Sequence, residues 1–501
     1  MAGLPRLLRR HSLPAGTFVV PGHHCLMPFD TMQYQAAALS IIALLVCAAG
    51  YADDGKPPPI KKLRFDEDYS YLRAAPPGVQ WPACWKYIPL RDYIPLRESG
   101  DSYLTLGGEV RQRYEYTKNP TFGQDPQDKR GVWLQRYSAF GDLHWNTHLR
   151  FFAQLTSALE AGRAEGPSPV DEDKLTWQNA FLDLSTHNSN GSDTTVRLGR
   201  QEMVFGSGRL VDVREGPNVR RTFDGGRAFI TDEHWRVEFV AARPRLDRAG
   251  VFDDKTNYNQ ALWGIYGVLQ KPLRYPGNLD LYYLGNQNDD STYVQGTEHE
   301  DRHSLGARFW GESGSWNWNW EALYQFGRFG SDDINAWTLA TETTYHWQDV
   351  RWQPSVKLSI NIASGDDNPN DRKLGTFNPL YPRGNYFSEA AVFGPRNFYN
   401  FHTFLNLQPN RALALTADLD FFWRLETEDG LYSPSGQIIR GPDDSDAHFA
   451  AITLSLTAEY TVCRGLVLTA IHTFDKPERF IRETGPSDDL GFTELTMQYR
   501  F

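Results

Sequence analysis

Opposite charges are concentrated between residues 206 and 227. The cationic members are Arg209, Arg214, Arg220, Arg221 and Arg227. The anionic members are Asp212, Glu215 and Asp224. A guanidinium group binds a carboxylate through two parallel hydrogen bonds, and charged side chains ringing a pore select the sign of the solute. The stretch predicts either a constriction for anions or a solvated loop whose charges pair with one another.

A second charged stretch occupies the longest predicted loop, residues 366–396. Its cations are Arg372, Lys373, Arg383 and Arg396. Because loops of this length are often functional, we expect an ordered lid or gate. Oxygen-bearing side chains open the loop at Asp366, Asp367, Asn368 and Asp371. Such oxygens suit calcium, but we interpret them as a polar turn cluster.

We single out no grouping in the sequence that would indicate catalysis. Neither a GxSxG nor a CxxC motif occurs, and the 13 histidines are scattered along the chain. We therefore predict no enzymatic activity, no catalytic residues, no metal and no cofactor.

The charged stretches must be positioned by strands. Period-2 alternation between turn residues predicts eighteen of them. They lie near 102–118, 131–146, 148–160, 176–186, 194–205, 223–232, 235–247, 260–272, 278–289, 302–313, 316–330, 335–348, 352–365, 397–409, 413–426, 448–462, 466–477 and 491–501. The chain ends within such a pattern, since odd positions from Leu495 to Phe501 are apolar and even positions are polar.

The lengths of the connections alternate. After odd-numbered strands they are long, at 119–130, 161–175, 206–222, 248–259, 290–301, 366–396, 427–447 and 478–490. After even-numbered strands they are short, and only 331–334 breaks the rule for long loops. This parity is typical of outer-membrane barrels, which have short periplasmic turns and long outer loops. We therefore predict an all-β, antiparallel transmembrane β-barrel of about eighteen strands.

Composition agrees with a barrel. The 501 residues include 23% charged ones and have a mean hydropathy of −0.53, which excludes a polytopic helical membrane protein. The 15 Trp, 24 Tyr and 29 Phe suit aromatic girdles at the membrane interfaces. A net charge of −11 argues against nucleic acid as a partner.

One long apolar run, residues 36–50, precedes the strands. It is too short for a membrane-spanning helix but suits a secretory signal peptide, with cleavage after Ala52. We expect a leader at 1–52, a periplasmic segment at 53–100 and the barrel at 101–501. Arginines lie far upstream of the run, so Met32 is an alternative start. Two cysteines, Cys84 and Cys463, would remain in the oxidising periplasm, either bonded together or free.

Two blocks of sequence carry a family resemblance. Residues 194–229 read TTVRLGRQEMVFGSGRLVDVREGPNVRRTFDGGRAF, and residues 374–384 read LGTFNPLYPRG. From about residue 65 to 501 the chain resembles the alginate-export family of outer-membrane proteins. The resemblance implies an eighteen-stranded barrel with an arginine-lined constriction, a monomer, and passage of an anionic polysaccharide.

The resemblance also implies roles for particular residues. Arg197 and Arg200 match an arginine-bearing block, Arg136 matches a lumen arginine of the second strand, and Asp212 falls near a lumen aspartate. Three departures weaken the electropositive lining. Glu202 stands where these exporters have arginine, Gln178 and Asn179 replace arginine before strand residues 181–183, and residues 469–472 lack an expected arginine pair.

Together these patterns predict a passive channel in the bacterial outer membrane for anionic, carbohydrate-like molecules, with export of an acidic polysaccharide such as alginate as the main hypothesis. The alternative is a porin for uptake of small organic anions. Expected partners are the solute, outer-membrane lipid, periplasmic export proteins, and the assembly machinery that recognises a C-terminal strand ending in Phe. The predicted constriction comprises Arg136, Arg197, Arg200, Asp212, Arg214, Arg220, Arg221, Arg227 and Arg383.

Overall fold

The computed structural model describes residues 59–74, 85–90, 102–189, 191–271 and 276–501. The predicted leader, residues 1–52, and Cys84 lie outside the described residues. Cys463 is disulfide-bonded. Within the described ranges, no helix is long and apolar enough to cross a lipid bilayer.

Eighteen long strands form the wall, which confirms the predicted number and order. Their bounds are β1 Tyr103–Lys118, β2 Val132–His144, β3 Leu149–Ala161, β4 Asp173–His187, β5 Asp193–Gln201, β6 Phe223–Thr231, β7 Trp235–Leu246, β8 Gln260–Gln270, β9 Asn278–Tyr293, β10 Gly296–Ser313, β11 Trp316–Phe329, β12 Asp332–His346, β13 Ser355–Ala363, β14 Phe398–Leu407, β15 Leu413–Trp423, β16 Phe449–Cys463, β17 Leu466–Pro477 and β18 Leu490–Arg500.

The sheet closes on itself. Each strand pairs antiparallel with the next, and β18 pairs with β1, Arg500 lying opposite Glu109. The seam continues one residue further, where the Phe501 amide donates to the Gly108 carbonyl at 3.1 Å. Closure removes both free edges of the sheet.

Alternation places apolar side chains outside and polar ones inside. In β13, Val356 and Ile360 are 39% and 49% exposed, whereas Ser359 and Asn361 are buried on the lumen side. A charge facing mid-bilayer lipid costs roughly 2–4 kcal/mol, which explains why the polar face turns inward.

Connections follow the predicted parity with one correction. The predicted loop at 290–301 is wrong, because β9 and β10 continue through this region and turn at residues 294–295. Its polar sequence reads as a loop, yet the hydrogen-bonded hairpin simply extends beyond the apolar band. The turn at 330–331 is short, as predicted.

The remaining described elements are short. Helix α1, Arg479–Glu483, lies in the last long loop, and 3₁₀ turns occupy Arg64–Asp66, Ser70–Ala74 and Pro120–Gly123. The short strand Ile88–Pro89 pairs with the start of β1. Further short strands are Lys255–Thr256, Lys373–Leu374, Leu431–Tyr432 and Ile438–Arg440.

Long loops pack together at the outer end of the barrel. The apolar cluster that joins them to the wall includes Phe387, Phe393, Phe398, Phe422, Leu431 and Phe480. The rings of Phe393 and Phe422 lie 4.6 Å apart, and those of Phe387 and Phe398 lie 4.8 Å apart. We call this cluster the outer cap.

Candidate functional site

The loop after β5, residues 202–222, folds into the lumen. Met203, Val211 and Val213 are fully buried within it. Gly206 and Gly208 have φ angles of 54° and 77°, which favour glycine. A Cβ at Gly208 would also lie 2.5 Å from the Asp212 carboxylate. The local fold therefore depends on glycine at these two positions.

Two arginines of β1 hold this loop by its backbone. Arg111 donates to the carbonyl of Glu215 at 3.0 Å and to the side chain of Asn218 at 3.0 Å. Arg113 donates to the Gly216 carbonyl at 2.7 Å. These inward arginines are structural anchors, because their donors are directed at the loop.

Glu215 is the centre of a partly buried ion-pair cluster. It pairs with Arg136 of β2, with Arg220 at 3.3 Å and with Arg500 at 3.4 Å. Arg136 also pairs with Glu109 at 2.7 Å. Burial alone would raise the pKa of Glu215, but the surrounding guanidinium groups hold that pKa well below its usual range. The carboxylate therefore stays ionised.

The opposite side of the loop is tied to the far wall. Arg209 lies 3.2 Å from Glu321 of β11 and 3.0 Å from Glu342 of β12. It also donates to the Tyr386 hydroxyl at 2.9 Å. Since β1 and β11 are well separated around the barrel, the loop spans the lumen.

The longest loop, residues 364–397, joins the first one by backbone hydrogen bonds. Asp212 N donates to the Tyr381 carbonyl at 2.9 Å, and Tyr381 N donates to the Leu210 carbonyl at 2.8 Å. Arg221 donates to the Pro382 carbonyl at 3.1 Å. Burial, reinforced by the nearby charge of Arg214, lowers the pKa of Arg221 to about 9. We call the two joined segments, residues 202–222 and 376–389, the lumen layer.

A cavity of about 400 Å³ borders the lumen layer beside β13–β18 and β1. Arg383 lines it, stacks 5.1 Å from the Tyr386 ring and has no ion pair within the described parts of the chain. Lys357 also lines it, with Nζ 3.5 Å above the Phe404 ring. Five carboxylates share the wall, at Glu215, Glu389, Asp418, Glu459 and Glu494. We call this space the Arg383 cavity.

A larger cavity of about 720 Å³ lies at the short-turn end. Its arginines are paired: Arg197 makes a bidentate contact with Asp183 at 2.7 and 2.8 Å, and Arg227 binds Glu238 at 2.6 Å. Arg197 also lies 3.9 Å from the Phe181 ring.

The structure brings most of the predicted constriction residues into the lumen. Arg136 and Arg220 meet at Glu215, while Asp212, Arg214 and Arg221 lie where the loops join. Arg214 lies 3.6 Å from Asp247 and has a φ of 59°. Arg197, Arg227 and Arg383 line the two cavities.

Arg200 is the exception. It shares the outward face of β5 with Leu198, which is 51% exposed, and pairs with Asp224 at 2.7 Å. Residues three apart on a strand point to opposite faces, so Arg197 and Arg200 cannot both enter the lumen. We leave Arg200 out of the site.

Several site residues were missed by reasoning from the sequence. Lys357 carried a weak signal, because it alternates with apolar Val356 and Leu358. Tyr386 and Glu389 had no such sequence signal, because the conformation of a loop determines where their side chains point. Lys62, which binds Asp212 at 2.6 Å, came from a segment without periodicity.

One motif was overlooked in the sequence: residues 299–303 read HEDRH and match HExxH. That zinc motif works on a helix, where both histidines share one face a single turn apart. Here it lies in β10, where His299 contacts Asp289 and Asp301, and His303 contacts Tyr283. No metal-binding group of three or more His, Cys, Asp or Glu occurs in the described ranges.

The run 366–371 binds its own loop. Asp366 accepts from Gly375 N at 3.1 Å, and Asp371 accepts from Lys373 N at 2.7 Å. These contacts are those of a polar turn cluster. Burial raises the pKa of Asp366 to about 7.

Comparison with known proteins identifies the family. The sequence model described as alginate export matches residues 102–486. The chain belongs to the alginate export family. It is a β-barrel of the bacterial outer membrane, and its family and fold are those of transport channels. No curated protein shows significant sequence similarity.

Solved structures similar to this alginate export family member include two Occ proteins and a BenF-like porin. OccD3 (OpdP) of Pseudomonas aeruginosa matches with a TM-score of 0.53 and 12% identity, covering 79% of this chain and 91% of that one. OccAB4 of Acinetobacter baumannii matches with 0.52 and 12%, covering 79% and 97%. A BenF-like porin from Pseudomonas fluorescens Pf-5 matches with 0.54 and 9%, covering 79% and 98%. At these identities the similarity concerns the fold.

Proposed function

We propose that this family member is a passive channel for anionic, carbohydrate-like molecules and that its physiological task is export of an acidic polysaccharide such as alginate. The observation that carries the proposal is the Arg383 guanidinium, which lines a cavity and makes no ion pair at contact distance with any described residue. A guanidinium fork matches the carboxylate of a uronic acid. Family membership supports a polysaccharide as the solute.

The walls of the Arg383 cavity suit a sugar acid. Tyr386, Phe387 and Phe404 line it together with four cations, of which Arg111 and Arg113 hold the loop and Arg383 and Lys357 make no ion pair in the described structure. Aromatic faces pack against the apolar faces of sugar rings, while the cations bind the carboxylate. Most other arginines of the lumen already bind carboxylates or carbonyls of the protein, so their role is to hold the lumen layer.

A second candidate is uptake of small organic anions. It is favoured by how fully the lumen layer fills the barrel, leaving about 400 Å³ beside Arg383. A space of that size holds one or two rings rather than a length of polymer. Polymer passage therefore requires the lumen layer or its surroundings to move.

Single-channel recording in planar bilayers distinguishes the two candidates. Block of the potassium chloride current by polymeric uronate supports export, and block only by small carboxylates supports the porin. Arg383→Glu should weaken either block at least tenfold. Arg372→Glu is the matched control, because Arg372 is an exposed cation of the same loop. Equal block in wild type and Arg383→Glu would contradict both candidates.

A further inference from the structure

Residues 59–74, which we call the inner segment, lie inside the short-turn end of the barrel. Arg64 is buried there and donates to the carbonyls of Gly108 at 2.9 Å and Phe501 at 3.0 Å. It also binds Glu67 within the segment at 2.8 Å. One arginine therefore attaches the segment to both sides of the seam between β1 and β18.

Phe65 occupies an apolar pocket in an otherwise polar lumen. Phe140, Phe152 and Phe181 project inward from β2, β3 and β4 and form a buried cluster with it. The Phe65 ring lies 5.6 Å from Phe152 and 5.1 Å from Phe181, both edge-on. Without the inner segment these wall phenylalanines would face the water of the lumen, an unfavourable exposure. The wall thus carries a receptor shaped for one side chain of the segment.

Polar groups of the wall close around the same side chain. Arg150 of β3 donates to the Phe65 carbonyl at 2.6 Å. The Arg197 guanidinium lies 4.5 Å from the centre of the Phe65 ring. Both arginines also pair with wall carboxylates, which fix the direction of their guanidinium groups towards Phe65.

The inner segment also touches the lumen layer. Lys62 Nζ lies 2.6 Å from the Asp212 carboxylate. Arg220 donates to the Lys62 carbonyl at 2.9 Å. The segment therefore reaches from the wall to the lumen layer, across the route between the lumen layer and the periplasm.

We propose that the inner segment is an autoinhibitory plug that blocks ion flow at the periplasmic end and opens the channel when Phe65 and Lys62 leave their sites. Its hold is local, since the buried Phe65 and Tyr69, the adjacent Leu63 and a few polar contacts carry it. The pairing of Ile88–Pro89 with β1 keeps the released segment tethered nearby. The proposed plug acts on ion flow through the channel, so the proposal is the same for either candidate solute.

The first test uses the full chain in planar bilayers with potassium chloride alone. Phe65→Ala should raise the open probability or the conductance several-fold over wild type, because the receptor pocket loses its ligand. Tyr71→Ala is the matched control, since Tyr71 is an aromatic residue of the same segment and is 49% exposed. Heat-modifiable migration on gels confirms that each variant remains a folded barrel.

The second test reverses charge at the contact with the lumen layer. Lys62→Glu should also raise the open probability, whereas Lys61→Glu, an exposed neighbour, should behave as wild type. Adding Asp212→Lys to Lys62→Glu should restore closure. A rise in Phe65→Ala or Lys62→Glu above its control supports the plug. Wild-type currents in both variants, with folded barrels, would overturn it. Neither result depends on which solute the channel carries.

Discussion

The two ends of the barrel are closed by different means. At the outer end, long loops share an apolar cluster with the wall, and their segments are hydrogen-bonded to one another. At the periplasmic end, a short segment rests on one phenylalanine pocket and a few ion pairs. Elements with few buried apolar contacts open at lower free energy than packed cores. The outer cap and lumen layer are therefore held more strongly than the inner segment, which opens at the lower free energy.

The same contrast applies to arginine. Arginines of the scaffold, such as Arg136 and Arg220, are buried among carboxylates. Arg383 has an aromatic neighbour and a cavity instead. The arginines of the lumen therefore have two roles. Most of them, such as Arg136 and Arg220, hold the loops in place, whereas Arg383 is positioned to bind a solute.

The largest expected effect concerns the outer cap. Phe422→Ala should lower the free energy of unfolding by about 3–5 kcal/mol, because Phe422 is buried against three other rings. Thermal unfolding in detergent micelles measures the change. Phe401→Ala, on the exposed face of β14, is the control and should have a much smaller effect. A similar loss of stability in both variants would contradict the claim that the outer cap is held by tightly packed side chains.

The next effect concerns the lumen layer. Arg220→Met leaves Glu202, which lies 3.1 Å away and is buried, without its cation. We expect a loss of about 3 kcal/mol in the same unfolding experiment. Arg248→Met, an exposed arginine of a neighbouring loop, should change stability little. Unchanged stability in Arg220→Met would show that the layer is held by backbone contacts alone.

A smaller effect sharpens the account of the inner segment through pH. Lys86 lies 4.9 Å from the Tyr69 ring and 5.3 Å from the Phe140 ring, with Arg64, Glu67 and Arg464 as its charged neighbours. Burial, with help from Arg64, lowers the pKa of Lys86 from 10.5 to about 7. Lys86 lies outside the inner segment, but Tyr69 of that segment covers it, so docking helps to keep Lys86 neutral. Docking therefore strengthens as pH rises above about 7, by at most tenfold per pH unit.

Open probability should accordingly fall between pH 7 and 9 in wild type. Lys86→Met removes the titrating group, so its open probability should stay flat over this range. A wild-type current that increases with pH, or an equal slope in the variant, would contradict the role given to Lys86.

Sequence reasoning recovered the wall because strand periodicity is local. In β13 and β18, the alternation of apolar and polar residues shows which side chains face lipid and which face the lumen. The alternation of long and short connections then follows from the order of the strands. The hairpin at 294–295 was missed because beyond the membrane neither face needs to be apolar. Once residues 194–205 were predicted to be a strand, the spacing of Arg197 and Arg200 was enough to show that they lie on opposite faces.

The site was only partly predictable. The charges between residues 206 and 227 predicted either a constriction or a solvated loop, and the sequence alone did not decide between them. The partners of each arginine depend on contacts between distant strands, such as Arg209 with Glu321 and Glu342. Phe65 and its pocket involve one residue from each of four separate segments, and no local pattern marks such a contact.

The central claim is that the route past Arg383 carries anions. Reversal potentials of the full-length channel across a potassium chloride gradient test it most directly. We expect wild type and Arg372→Glu to favour chloride, and Arg383→Glu to shift the reversal potential towards cation selectivity. A wild-type channel that favours potassium, or an Arg383→Glu channel identical to wild type, would contradict the account.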